Sequence, residues 1–188
     1  MSEEVLERLR SLLREEGGLL ATLVAPREAL EPSASAGAPS PAAVLAGAPR
    51  TRERGEEYEL LVEAIYEGYL LHYGRPRVVH AGEADLLLLA GDRLYAIGLA
   101  RLVALGDTLA VAELADTITL CALAHGAGDG ALADAVWAAG TRAVGWGPSE
   151  AHRRAKDLAL AGAPGALEAM RTSARERSQP PPIGPRYC

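Results

Sequence analysis

The chain has 188 residues and a mass of 19.7 kDa, 49% of its residues are hydrophobic, and only 4% are aromatic with no Phe. That length buries one helical core without staples. A formal charge of −6 excludes the basic footprint that nucleic-acid binding by counterion release requires, and two cysteines, Cys121 and Cys188, make neither a disulfide framework nor a metal set.

The abundance of Ala and Leu, both strong helix formers, predicts an all-α fold. Ser2 can cap a first helix with Glu3 and Glu4 in its first turn and a stripe of Val5, Leu6, Leu9, Leu12 and Leu13, stopped by Gly17 and Gly18. This acidic, amphipathic start is unlike a secretory leader, and no apolar run approaches the ~20 residues of a membrane span, so a cytoplasmic protein is expected. Residues 19–53, rich in Ala, Pro, Ser and Gly, read as an irregular, partly mobile linker, which leaves the first helix free to dock in cis or on another chain.

A helical bundle domain is expected over 54–171. Its first helix buries Tyr58, Leu61, Ile65, Tyr66 and Tyr69 and ends at Gly74 and Pro76. The next, Glu83 to Leu105, is apolar on every side at Leu86 to Leu89 and is expected to be central and covered on most faces. Asp107 caps a third helix burying Val111, Leu114, Ile118 and Cys121, and Asp129 starts a fourth with Leu132, Val136, Trp137 and Val144. Pro148 and Pro164 each open a short helix, and 172–188 reads as a flexible tail. Short loops imply an antiparallel helix bundle.

The string Gly74-Arg75-Pro76-Arg77-Val78-Val79-His80-Ala81-Gly82-Glu83-Ala84, followed by Leu89-Ala90-Gly91-Asp92, resembles the segment of polyprenyl (isoprenyl diphosphate) synthases that reads R-R-G-x-P-x-x-H, then G-E-A, then L-A-G-D. The resemblance runs from about Glu56 to His125. It implies a truncated isoprenoid-synthase-like helical frame, an oligomer, and, by the precedent of heteromers that pair an inactive small subunit with a catalytic one, a partner synthase.

The same resemblance shows what is missing. Ionising an allylic diphosphate needs divalent cations and arginines to receive the developing negative charge. The family's two D-D-x-x-D motifs hold Mg²⁺, with carboxylates four residues apart on one helical face. By the family's offset the first motif falls on Glu63-Ala64-Ile65-Tyr66-Glu67, where only the outer acids remain, and the arginines before the glycine are replaced by His72 and Tyr73. No second motif follows, since Glu113, Asp116, Asp129, Asp134 and Asp157 are scattered, and no G-K-x-x-R-P segment precedes the Tyr58 helix.

The resemblance therefore implies a noncatalytic, degenerate member that acts as a subunit of, or binder within, an isoprenoid system. Its binding candidates are Glu63, Glu67, Arg75, His80 and Asp92. No catalytic residue or cofactor is assigned. Glu63 and Glu67 read as a solvated acidic stripe, with Mg²⁺ binding the minority reading and a reduced Mg²⁺-dependent prenyl transferase the enzymatic alternative. A third reading is a structural or interaction domain, isoprenoid binding aside.

From the residues alone, Asp92 should find a partner inside, and Gly91 admits a neighbouring helix. His72, His80, His125 and His152 lack metal spacing and read as capping or surface groups. Tyr58, Tyr66, Tyr69 and Tyr73 either line a prenyl-sized cavity or form plain core, and Trp137 and Trp146 serve as interface anchors or core filling.

Overall fold

The computed structural model describes residues 2–26 and 40–176. Among these every regular element is a helix, and the single β-type pairing is an antiparallel bridge between Val24 and Val79. The expected all-α class holds. Cys188 and Pro180 to Pro182 lie outside the described residues.

Helix α1 spans Ser2–Glu16 and buries Val5, Leu9, Leu12 and Leu13, the stripe its spacing predicts. It docks in cis, with Arg8 Nη1 donating to Glu56 Oε2 at 3.0 Å and Glu16 Oε1 accepting from Arg101 Nη2 at 2.7 Å. Gly17 and Gly18 turn the chain with positive φ but do not end helix formation: α2 follows at Gly18–Leu23.

The segment expected to be irregular also holds α3, Pro41–Leu45, and a 3₁₀ turn at Arg52–Arg54. Ser40 Oγ accepts the Ala43 N–H at 3.3 Å and Pro41 occupies the first turn, so composition that reads as a linker carries a complete N-terminal helix signal. Ala42, Leu45 and Ala48 are buried, and Arg50 anchors the segment to the end of the helix Gly130–Trp146, its N–H donating to Gly145 O at 3.1 Å and its Nη1 to Val144 O at 2.7 Å.

The bundle proper comprises α4 (Gly55–Tyr73), α5 (Ala84–Ala104), α6 (Thr108–Gly126) and α7 (Gly130–Trp146), followed by α8 (Glu150–Leu160) and α9 (Ala166–Arg175). Asp107 and Asp129 cap α6 and α7 as expected, accepting the N–H groups of Ala110 at 3.0 Å and Leu132 at 2.9 Å. Pro148 and Pro164 stand just outside their helices, because Ser149 and Gly165 occupy the cap positions.

Helices α4 and α5 cross at small residues. A Cβ on Gly68 would lie 2.9 Å from Gly91 O, and one on Gly91 would lie 3.0 Å from Gly68 O, so the close approach expected of Gly91 is reciprocal. The main core combines α4, α6, α7, α8 and α9, with Leu61, Ile65, Leu114, Val144 and Met170 all at or below 1% exposure. A second core joins α1 and α2 to α4 and α5. Leu114 and Cys121 are buried on α6, whereas Val111 and Ile118 only flank the core.

Helix α5 departs from its expected central position. Only six of its 21 residues are buried, while Leu88 and Leu89 are 45% and 58% exposed. An apolar run specifies that something should cover it but not that the same chain does. Helix α6, likewise, is long and apolar enough to cross a membrane, which the sequence reading did not expect; 39% of its most apolar window is buried in this bundle.

Candidate functional site

Glu63 and Glu67 lie one turn apart on α4 and share a face, as their spacing requires. That face points inward: both side chains are 0% exposed, so the expectation of a solvated acidic stripe is wrong. Burying two carboxylates is tolerated only where charge and hydrogen bonds compensate them. The compensation comes from Arg77, in the turn between α4 and α5.

Arg77 Nη2 donates to Glu63 Oε2 at 2.7 Å, and Arg77 Nε donates to Glu67 Oε2 at 3.3 Å. Glu67 Oε1 accepts the backbone N–H groups of Arg77 and Val78, each at 2.7 Å, and of Val79 at 3.2 Å. Glu63 Oε1 accepts the Ala42 N–H at 3.0 Å, which ties α3 to the same cluster. Burial acts against the charge of Arg77, but the two glutamates outweigh it and hold the guanidinium pKa above its ordinary value. The guanidinium also sits 5.0 Å from the Tyr66 ring centroid.

The turn is pinned from its other side. Ala25 N–H donates to Val78 O and His80 N–H to Leu23 O, both at 2.9 Å, and Arg10 Nη2 donates to Arg77 O at 3.3 Å. Every carboxylate oxygen of Glu63 and Glu67 is therefore engaged by a donor. Mg²⁺ would need several of those oxygens in octahedral geometry with room for its waters, so this acid pair does not fit the ion. Among the described residues, no group of three or more His, Cys, Asp or Glu side chains is arranged to hold a metal.

The other candidates do not join this cluster. Arg75 and His80 are exposed. Asp92 is not inside: its side chain is 71% exposed and pairs at 3.2 Å with Nε2 of His72, whose ring stacks on Tyr95. Tyr58, Tyr66 and Tyr69 take the core reading, whereas Tyr73 is 43% exposed. Tyr66 and Tyr69 pack on Trp137, with ring centroids 4.9 and 5.3 Å away, and Tyr69 Oη lies 2.9 Å from His125 Nε2. Tyr73 stacks on His125 at 4.3 Å, and Tyr58 Oη donates to Asp107 Oδ2 at 2.6 Å. Trp137 is core, whereas Trp146 lies under the Arg142 guanidinium at 4.5 Å. Cys121 is buried and donates to Ala133 O at 3.6 Å; burial pushes its thiol pKa up, leaving an unreactive neutral side chain.

A second buried polar cluster was not expected. His152, 3% exposed, places Nε2 at 2.9 Å from Glu113 Oε2 and Nδ1 at 2.8 Å from Ser173 Oγ, linking α6, α8 and α9. Lys156 Nζ donates to Glu113 at 3.0 and 3.1 Å and to Asp116 at 2.7 Å. Burial opposes ionisation of Glu113, yet hydrogen bonds from His152 and Lys156 prevail and lower its pKa. Although the order Ser–His–Glu resembles a nucleophile relay, Ser173 is 4% exposed and its hydroxyl closes an interhelical tie. The signal for it was spacing: His152, Ala155 and Ala159 form the buried stripe of α8, as Ala166, Met170 and Ser173 do on α9.

In comparisons with known proteins, the chain matches no family model, no curated protein and no solved structure.

Proposed function

We propose that this chain is a noncatalytic helical protein on a polyprenyl-synthase-like frame, a subunit of, or binder within, an isoprenoid diphosphate system. The observation that carries the noncatalytic part is the engagement of Glu63 and Glu67 by Arg77 and four backbone N–H groups at zero exposure. A carboxylate that binds Mg²⁺ for diphosphate departure must offer lone pairs to an open site. These lone pairs are spent on holding α3 and the α4–α5 turn to α4. The residues that would carry prenyl chemistry in the resemblance thus serve folding here, which favours a role through association over turnover.

The partners that fit this reading are a second copy of the chain or a catalytic prenyl synthase in a cytoplasmic setting. The test is to add the purified chain to such a synthase and follow product chain length and copurification. A stable complex or a shifted product distribution is expected. A synthase that neither binds the chain nor changes its products contradicts the subunit role.

A further inference from the structure

We draw no further inference here: the strongest candidate, the groove of about 420 Å³ between α1, α4 and α5 that Glu4, Leu12, Glu15, Leu60 and Arg101 help to line, rests on a cluster of exposed acidic side chains alone, and nothing in the structure shows what covers it.

Discussion

At the residue scale, the fate of two glutamates is decided by a single arginine. Glu63 and Glu67 place two carboxyl groups at zero exposure, and the Arg77 guanidinium and four backbone N–H groups donate to their oxygens. Removing one partner of a buried ion pair costs about 3–5 kcal/mol because the other charge is left uncompensated. Arg77→Met should therefore lower unfolding stability by about that amount in urea titration, whereas Arg75→Met, at an exposed neighbouring position, should change it little. Equal losses would contradict the assigned pairing.

Glu113 makes a pH prediction at the same scale. Its folded-state pKa is lowered below the ordinary 4.5. Its contribution to stability is thus complete above that value and lost as pH falls through the folded-state value. The acid limb of a stability–pH profile should be shallower in Glu113→Gln than in the native chain; identical limbs would rule out this contribution.

At the element scale, most helix limits were legible because they depend on local chemistry. Asp107 and Asp129 cap α6 and α7 where the sequence places them, and α1 buries its predicted stripe. Long-range facts were not legible. The i, i+4 spacing of Glu63 and Glu67 was plain, but α4 has apolar residues around its whole circumference, so periodicity could not say which way the pair points. Its counter-ion lies beyond a helix end, and a third partner, Ala42, sits in a segment whose Ala and Pro content hid a helical turn.

Close helix crossings make a further prediction of this kind. A Cβ on Gly140 would fall 2.0 Å from Thr117 Oγ1 and 3.2 Å from Thr117 Cβ. Gly140→Ala should cost about 1–3 kcal/mol by overpacking, and adding Thr117→Ala should recover part of that loss, a coupling that a double-mutant cycle measures. Strict additivity would mean that the α6–α7 approach is not limited by this contact. Gly82→Ala, where nothing lies within 4 Å of the added Cβ, is the neutral comparison.

At the scale of the whole molecule, charge is placed inside to hold helices together, while apolar surface is left outside on α5 and α6. Glu63, Glu67 and Arg77 join α3, α4 and the α4–α5 turn; Glu113, His152, Lys156 and Ser173 join α6, α8 and α9. Ionic groups committed in this way are not free to receive a departing diphosphate, whose charge must be met by cations in an open site. The most direct measurement is diphosphate release by the purified chain given allylic and homoallylic diphosphates with Mg²⁺. The account predicts none above the protein-free rate. Release that depends on Mg²⁺ and is abolished by Glu63→Gln would contradict it.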